Sequence, residues 1–216
     1  MRSDRSKRLL DIIGAGTGLI VLAPLLAVIA LAVYVNDRGP IIFRQTRVGQ
    51  NGREFRMLKF RSMLPHAEQH GGLLTVGKDQ RITRIGTCLR RFKLDELPQL
   101  VNVLVGEMSL VGPRPEVRRY VDLYSPAQRR VLDLRPGITD PASLEYYDEA
   151  AHLVQAKDPE ATYVNEIMPR KIAMNLAYAG NASVWSDIGL IVRTLLHPML
   201  ARSTNADERD ALHRSG

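Results

Sequence analysis

The longest apolar stretch of the chain is an uncharged run over residues 12–35, in a sequence where charges are otherwise frequent. It is long enough to cross the hydrocarbon core of a bilayer as one helix. Pro24 lies at the middle of the run, where proline removes a backbone donor and favours a kink or a break. Two paths therefore fit: a single-pass anchor that tolerates the proline, and a re-entrant helix broken at Pro24.

Positive charge flanks this apolar run on both sides. Four basic residues lie within residues 2–8, and seven more lie within residues 38–61. Because basic flanks favour the cytoplasmic side, both ends of the run are predicted to stay there, which favours re-entry. A break inside lipid also needs partners for the freed backbone groups, so the sequence alone leaves both paths open.

After the apolar run, alternating apolar and polar residues predict two strands, over residues 40–48 and 54–61, joined by a turn that contains Asn51-Gly52. Helical periodicity then dominates, so the predicted fold class is α+β, mostly helical, with a small β-hairpin. Helices are predicted to start within residues 62–70 and to cover 81–92, 96–105, 116–134, 159–179 and 183–200, with a loop over 71–79 and a turn over 135–139. Within 116–134, Ser125-Pro126 is predicted to interrupt the helix and restart it.

The last predicted helix and the residues after it suggest how the chain is organised. Residues 183–201 have Trp185 at one end and an apolar middle, which fits an interfacial amphipathic helix or a helix packed in the core. Residues 202–216 are polar and are expected to be disordered. The predicted organisation is a basic N-terminus with a membrane helix over 1–38, a catalytic domain over 39–201 and a tail over 202–216.

The charge is unevenly distributed along the chain. The whole sequence carries 30 Lys and Arg against 23 Asp and Glu, a net charge of +7, and the excess lies in residues 1–136. Such a surface attracts anionic headgroups, phosphorylated substrates or nucleic acid. The single cysteine, Cys88, excludes an internal disulfide, and the five histidines lack convincing metal-ligand spacing.

The hexapeptide DELPQL at residues 95–100 is the strongest candidate for chemistry. Asp95 and Glu96 are adjacent carboxylates, and Arg90, Arg91 and Lys93 precede them closely. One interpretation is a helix start capped by Asp95. The other is a site in which cations and a helix N-terminus keep a carboxylate ionised and bind phosphate.

Further cations are candidates for phosphate binding. Arg114 lies between two prolines, so its backbone is fixed; this suits either a pre-positioned guanidinium or a rigid turn with an exposed arginine. Lys59 and Arg61 are expected to share one face of the second strand, where they contact headgroups, phosphate or nothing specific. For Arg135, in the predicted turn, the same alternatives remain: contact with headgroups or phosphate, or no specific contact.

These motifs together resemble the bacterial sugar transferases, specifically the small monotopic polyprenyl-phosphate phosphoglycosyl transferases. The resemblance covers nearly all of residues 5–200, and two positions depart from it: many relatives have serine where this chain has Ala23, and Gly-Trp where it has Asp140-Pro141. The motifs that carry it, in order, are the apolar run with Pro24, FRQTRVG (43–49), KFRSM (59–63), DELPQL (95–100), GEMSLVGPRP (106–115) and RPGIT (135–139).

The resemblance implies a phosphoglycosyl transferase. Such an enzyme moves a sugar-1-phosphate from a UDP-sugar to undecaprenyl (polyprenyl) phosphate and releases UMP, initiating the synthesis of O-antigen, capsule, exopolysaccharide or glycoprotein. Asp95 would be the nucleophile that forms a phosphosugar-aspartyl intermediate, and Glu96 would activate the lipid phosphate or help to hold Mg²⁺, with Asp95 and Glu96 as metal ligands. The substrate-binding candidates are Lys59, Arg61, Arg90, Gln99, Arg114 and Arg135.

The resemblance also implies a location and partners. It predicts a monotopic protein on the cytoplasmic face of the bacterial inner membrane, with a re-entrant helix broken at Pro24. Membrane lipids are expected contacts, and another copy of the chain or downstream glycosyltransferases are candidate partners. A nucleic-acid binder is disfavoured because aromatic residues are few. A non-catalytic scaffold of a polysaccharide assembly complex is the alternative, which the intact Asp95 and Glu96 disfavour.

Overall fold

The computed structural model describes residues 4–64, 79–147 and 149–197. Most of the helix and loop expected over residues 62–79, together with the tail over 202–216, lies outside these ranges. The elements are α1 (Asp4–Asp37), β1 (Ile42–Val48), β2 (Glu54–Phe60), α2 (Arg84–Arg91), α3 (Gln99–Val105), β3 (Ser109–Val111), α4 (Arg118–Val121), β4 (Gly137–Thr139), α5 (Pro141–Glu145), α6 (Glu149–Val154), α7 (Pro159–Thr162), α8 (Met168–Asn181) and α9 (184–197). The predicted class, mostly helical with a small antiparallel sheet, is confirmed.

The predicted hairpin is present with the expected turn. Strands β1 and β2 pair antiparallel, from Val48 opposite Glu54 to Ile42 opposite Phe60. Asn51 and Gly52 both have positive φ, 58° and 71°. This left-handed geometry at two successive residues is what an Asn-Gly pair provides at low cost, so the turn chemistry fixes the register of the hairpin.

A second, parallel pair of strands was not predicted. Strand β3 pairs with β4, with Ser109 opposite Gly137 and Val111 opposite Thr139. Gly112 and Gly137 make the close approach possible, because a Cβ on Gly112 would lie 2.3 Å from the backbone oxygen of Arg135. The two strands therefore deliver the residues that follow them, the loop over 113–115 and Asp140, to the same edge.

The helical structure predicted over 116–134, with a restart at Ser125-Pro126, is present only in part. Only the short α4 and a 3₁₀ segment, Gln128–Asp133, are helical there. Pro126 lacks a backbone donor and disfavours helical geometry at Ser125. Ser125 and Gln128 instead bond each other's backbone N–H groups, so local side-chain bonds replace the helical ladder.

The helix predicted over residues 159–179 is confirmed as a run from α7 through a π-helical segment, Tyr163–Ile167, into α8. Pro169 lies just after the π-helical segment, in the first turn of α8. The widened turn removes the need for the backbone donor that Pro169 lacks. The helix predicted over residues 183–200 is observed as α9, as far as the chain is described.

Helix α1 is long and apolar enough to cross a membrane by length and composition, and Pro24 lies inside it. Near its start, Arg8 donates to the carbonyl oxygens of Val103 and Leu104, both at 2.6 Å, at the end of α3. Near its end, Ile29 and Val33 pack into one apolar cluster with residues of β2 and α2. Both ends of α1 therefore contact the same folded unit. The break at Pro24 and the re-entrant path stay predictions.

Candidate active site

The segment that carries the two carboxylates is a tight 3₁₀ turn between two helices. Lys93 has a left-handed backbone, with φ of 53°, and the turn Leu94–Glu96 follows it directly. Helix α3 starts only at Gln99, and neither the turn nor α3 has a side-chain cap. The interpretation of Asp95 as a helix cap is therefore wrong, and its carboxylate is not used to hold a helix together.

The Glu96 carboxylate is saturated by two cations. Lys59 Nζ lies 3.0 Å from Glu96 Oε1, and Arg114 binds both carboxylate oxygens, with Nη1 3.1 Å from Oε2. Burial alone would raise the pKa of Glu96, but Arg114 and Lys59 outweigh it and hold that pKa well below its ordinary value. Glu96 is therefore a fixed anion that orders the two cations.

Asp95 differs from Glu96 both in its hydrogen bonds and in the direction of its pKa shift. Its side chain is buried, and it accepts no hydrogen bond from any residue within the described ranges. Burial and the neighbouring charge of Glu96 raise its pKa, although Lys59, Arg90 and Arg114 oppose the shift. Two adjacent carboxylates thus have pKa values shifted in opposite directions, which is typical of groups with separate chemical roles.

Strand β2 and helix α3 bring Lys59 to Glu96. Lys59 lies on the same strand face as Phe55 and Met57, which are buried, so its apolar stem follows the core. Asn102 of α3 joins the strand to the helix: its Oδ1 accepts from the N–H of Leu58 at 3.0 Å, and its Nδ2 donates to the oxygen of Arg56 at 2.9 Å. This buried amide fixes the distance between the strand and the carboxylates.

The loop after β3 brings Arg114 to Glu96 from the other side. The Gly137 N–H donates to the Pro113 oxygen at 3.0 Å, and Arg47 Nη1 donates to the Pro115 oxygen at 3.1 Å. Both prolines that flank Arg114 are thus held by hydrogen bonds from other elements. The predicted pre-positioned guanidinium is present, and it is not an exposed arginine on a turn.

A second charged cluster lies behind this loop. Glu116 is 3.5 Å from the guanidinium of Arg47 and accepts a hydrogen bond from the hydroxyl of Tyr163. Burial and the charge of Glu116 raise the pKa of Tyr163 well above its usual range. We term Arg47, Glu116 and Tyr163 the Glu116 cluster: Arg47 and Glu116 neutralise each other, the neutral Tyr163 donates a hydrogen bond to Glu116, and Arg47 also binds the loop at the Pro115 oxygen.

The other predicted site residues have different surroundings. Arg90 Nε donates to Ser62 Oγ at 2.9 Å and interacts electrostatically with Asp95. The Arg61 guanidinium pairs with Asp37 at the end of α1, whereas Lys59 pairs with Glu96, so the two side chains have different partners. The substrate-binding roles of Arg61 and Arg90 stay predictions.

Two of the predicted contacts are buried groups without partners. Gln99 is 1% exposed, and neither its Oε1 nor its Nε2 has a hydrogen-bond partner among the described residues. Arg135 Nε is likewise buried without a hydrogen-bond partner among the described residues, while the Arg135 carbonyl lies against Gly112. Their roles in substrate binding stay predictions too.

The sequence of this chain has counterparts among known proteins. Residues 2–201 match the family described as bacterial sugar transferase. This chain belongs to that family. Membership agrees with the resemblance that the sequence motifs indicate.

The relatives differ in the sugar that their names specify. The chain is 38% identical over 208 residues to UDP-glucose:undecaprenyl-phosphate glucose-1-phosphate transferase of Caulobacter vibrioides, covering 94% of this chain and 72% of the relative. It is 36% identical over 192 residues to UDP-N-acetylgalactosamine-undecaprenyl-phosphate N-acetylgalactosaminephosphotransferase of Aeromonas hydrophila, covering 88% and 42%. It is 39% identical over 198 residues to exopolysaccharide production protein PSS of Rhizobium leguminosarum bv. phaseoli, covering 88% and 93%. The chain thus spans about two fifths of the Aeromonas protein.

One cation of this sugar transferase site was not among the predicted binding residues. Lys93 lies over the ring of Tyr147, with Nζ 4.3 Å from the ring centroid, and the ring of His197 lies 4.3 Å from that of Tyr147. Burial lowers the pKa of Lys93, and Arg114 lowers it further. The only sequence signal was its position two residues before Asp95, because its aromatic partners are distant in the chain.

The two carboxylates differ in how well they suit Mg²⁺ as ligands. Within residues 4–64, 79–147 and 149–197, no three His, Cys, Asp or Glu side chains group closely enough to hold a metal ion. Mg²⁺ is commonly held by one or two carboxylates together with substrate phosphates, so a dedicated cage is not required. Asp95 has oxygens that accept no hydrogen bond, whereas both oxygens of Glu96 are bound by cations. Asp95 therefore fits a metal ligand better than Glu96.

Proposed function

We propose that this sugar transferase moves a sugar-1-phosphate from a UDP-sugar to undecaprenyl phosphate, releasing UMP. The observation that carries the proposal is the unequal pair of carboxylates: Asp95 accepts no hydrogen bond within the described part of the chain, while Glu96 is saturated by Lys59 and Arg114. The names of the relatives supply the substrate class.

Asp95 is the proposed nucleophile. A carboxylate oxygen of Asp95 attacks the β-phosphorus of the UDP-sugar, and the bond from that phosphorus to the bridging oxygen breaks. UMP leaves with the electron pair, and the sugar phosphate remains on Asp95 as an acyl phosphate. An oxygen of undecaprenyl phosphate then attacks the same phosphorus, which releases the Asp95 carboxylate and forms the lipid-linked sugar diphosphate.

In this reaction a carboxylate must approach a negatively charged diphosphate. The nearby cations offset the repulsion between these two anions. Lys59 and Arg114 are held at Glu96 before substrate arrives, so they need little reorganisation. Arg90 lies close enough to influence the charge of Asp95. We therefore assign Glu96 the role of positioning the cations that neutralise the phosphoryl oxygens, in addition to its proposed contact with lipid phosphate or metal.

Mg²⁺ is the proposed cofactor, which Asp95 would hold together with phosphate oxygens of the donor. When bound, it would withdraw charge from the diphosphate. Glu96 approaches such an ion only if Lys59 or Arg114 moves to the substrate. The two roles that the family resemblance implies for Glu96 therefore depend on rearrangement of its ion pairs.

Membrane attachment through α1 is part of the proposal. Contacts at both ends of α1 with one folded unit support a monotopic protein whose anchor enters and leaves on the cytoplasmic face of the bacterial inner membrane. Apolar residues along the outer side of α1, such as Ile20 at 77% exposure, are available to lipid. Exposed Trp185 and Leu195 of α9 support a second, interfacial contact.

The test is UMP release from a panel of UDP-sugars with Mg²⁺ and undecaprenyl phosphate, comparing the native protein with Asp95→Asn. Release that the substitution removes supports the transferase and identifies the donor sugar, which the relatives leave open between glucose, N-acetylgalactosamine and others. No release from any donor by folded, membrane-bound protein would favour the alternative, a scaffold of a polysaccharide assembly complex. Release that survives the substitution would exclude Asp95 as the nucleophile.

A further inference from the structure

Most cations close to the active site are matched by a carboxylate. Glu96 forms ion pairs with Lys59 and Arg114, and the buried Arg61 forms an ion pair with Asp37. Lys93 is different. Its ammonium has no hydrogen-bonding or carboxylate partner among the residues that the structure describes, and its contact is the face of the Tyr147 ring, 4.3 Å away.

The position of Lys93 is fixed by three separate parts of the chain. Its left-handed backbone joins the end of α2 to the turn that carries Asp95. The ring of Tyr147, which follows α5, supports its ammonium, and His197 of α9 packs against the same ring at 4.3 Å and 30°. Helix α9 is itself tied to β4 by a 2.6 Å hydrogen bond between Thr139 and Thr194. Lys93 is thus pre-positioned.

A cation–π contact holds an ammonium in place without neutralising its charge. The three N–H donors of Lys93 therefore remain available for an anion. Its charge acts on Asp95 and Glu96 and is repelled by Arg114, so it lies within the electrostatic range of the reacting groups. A fixed, unmatched cation at this position is complementary to an anionic ligand.

The neighbours of Lys93 indicate which substrate supplies that anion. Leu94 and Leu97, in and directly after the same turn, pack with the apolar cluster formed by the second half of α1. Lys93 instead packs on Tyr147 and His197, which belong to the C-terminal part of the chain. We assign the side of α1 to the lipid phosphate, which leaves the side of Lys93 to the water-soluble nucleotide. On α9, His197 packs on the Tyr147 ring, whereas the apolar residues available to a membrane interface, Trp185 and Leu195, are exposed.

We propose that Lys93 binds the diphosphate of the nucleotide donor and donates a hydrogen bond to the phosphate that leaves with the nucleotide. This rests on the proposed function. As the bond between the β-phosphorus and the bridging oxygen breaks, that oxygen takes the electron pair and gains charge, which the Lys93 ammonium offsets. Lys59 and Arg114, held by Glu96, remain with the phosphoryl group that is transferred.

The test separates the two half-reactions in single-turnover experiments. UMP formation is measured without undecaprenyl phosphate, and discharge of the sugar phosphate is measured after the acceptor is added. Lys93→Asn removes the charge while keeping a residue that tolerates left-handed geometry. Lys93→Arg keeps the charge, and Arg91→Asn removes an exposed cation of the same segment as the matched control.

We expect Lys93→Asn to slow UMP formation roughly ten- to hundredfold and to leave the discharge step within about threefold of native. Lys93→Arg should restore most of the rate, and Arg91→Asn should match native. Tyr147→Leu should give an intermediate loss that Tyr147→Phe does not, because only the ring is needed to hold the ammonium. Thermal unfolding of each variant checks that the fold is retained.

A Lys93→Asn protein with native UMP formation would overturn the proposal, and so would a loss confined to the discharge step, which would assign Lys93 to the acceptor. Equilibrium binding of UDP provides a readout that does not need turnover. If native protein forms no UMP from any donor, the proposed transfer fails. Weaker UDP binding by Lys93→Asn than by Arg91→Asn would still support a diphosphate site, and equal binding would exclude it.

Discussion

Two charged clusters contact the loop over residues 113–115, and they differ in how completely their charges are matched. In the Glu116 cluster, one carboxylate faces the guanidinium of Arg47 and the hydroxyl of Tyr163, which stays neutral because its pKa is raised. In the cluster at Glu96, the cations Lys59 and Arg114 also face a second carboxylate, Asp95, that accepts no hydrogen bond within the described ranges.

This comparison shows that burial and charge do not by themselves identify a reactive group. Both clusters are largely buried and both contain an arginine paired with a glutamate. The matched cluster holds a loop in place, and its partners would have to separate before any of them could react. Asp95, which accepts no hydrogen bond within the described ranges, is the carboxylate that is available to react, and its burial beside Glu96 raises its pKa.

The largest expected effect comes from removing the unmatched group. Asp95→Asn should lower UMP release by at least about 10³-fold, because the nucleophile is lost. The same substitution should stabilise the fold near pH 7. A carboxyl whose pKa is raised on folding stabilises the folded state only while protonated, and that contribution is lost as the pH rises through the raised pKa.

The measurements for this variant are UMP release and urea unfolding in the same detergent. Asp95→Ala is the companion variant, since it also lacks the nucleophile but leaves a gap. Retained turnover in Asp95→Asn would show that Asp95 is not the nucleophile. The unmatched carboxylate would then have no catalytic meaning, and the contrast between the two clusters would no longer support the mechanism.

Removing the matched carboxylate of the active site should affect stability as well as activity. Glu96→Gln leaves Lys59 and Arg114 without an anionic partner, and breaking such a buried pair costs roughly 3 kcal/mol of unfolding free energy. UMP release should fall by about 10²-fold, because the two cations are no longer held in position.

The pH dependence of the Glu96→Gln effect provides its control. The pKa of Glu96 is well below the ordinary 4.5, so its stabilising contribution is present above that value and is lost only as the pH falls through the lowered pKa. The stability difference between native and Glu96→Gln should therefore persist from pH 7 to about pH 4.5. A difference that disappears by pH 6 would contradict this assignment.

The pH profile of UMP release should report the raised pKa of Asp95. The free nucleophile is active only when ionised, so the rate should rise about tenfold per pH unit on the acid side and level off above an apparent pKa higher than the ordinary 3.8. Single-turnover UMP formation across pH measures it. An acid limb at or below 3.8 would mean that the surrounding cations dominate over burial.

The smallest expected effect is in the matched cluster. Tyr163→Phe removes one hydrogen bond to Glu116 and should lower the unfolding free energy by about 1 kcal/mol. UMP release should stay within about threefold of native at a temperature where the variant is folded. A loss as large as that of Glu96→Gln would show that the Glu116 cluster takes part in more than holding the loop.

Local signals in the sequence were sufficient for part of this structure. The Asn51-Gly52 turn fixed the hairpin, and helical periodicity identified the long run that ends with α8. The sequence also predicted that Asp95 and Glu96 lie among cations. Arg90 and Lys93 are within five residues of Asp95, and Lys59 and Arg114 belong to recognisable motifs. Such features are predictable because the interacting groups are close in the chain.

The remaining features depend on contacts between distant residues. The three-residue strands β3 and β4 have little pattern of their own and pair because Gly112 and Gly137 permit close approach. The ion pair between Arg61 and Asp37 of α1 was not predicted. Lys93 gains its position from Tyr147 and His197, which are more than fifty and one hundred residues away. No local rule brings such groups together.

The most direct test of the central claim is the intact mass of the native protein after incubation with its UDP-sugar donor and Mg²⁺ in the absence of undecaprenyl phosphate. The account predicts a mass increase of one sugar phosphate, located on Asp95 by peptide mapping, absent in Asp95→Asn and discharged when the lipid acceptor is added. UMP formation without any adduct, or an adduct on a different residue, would contradict the account.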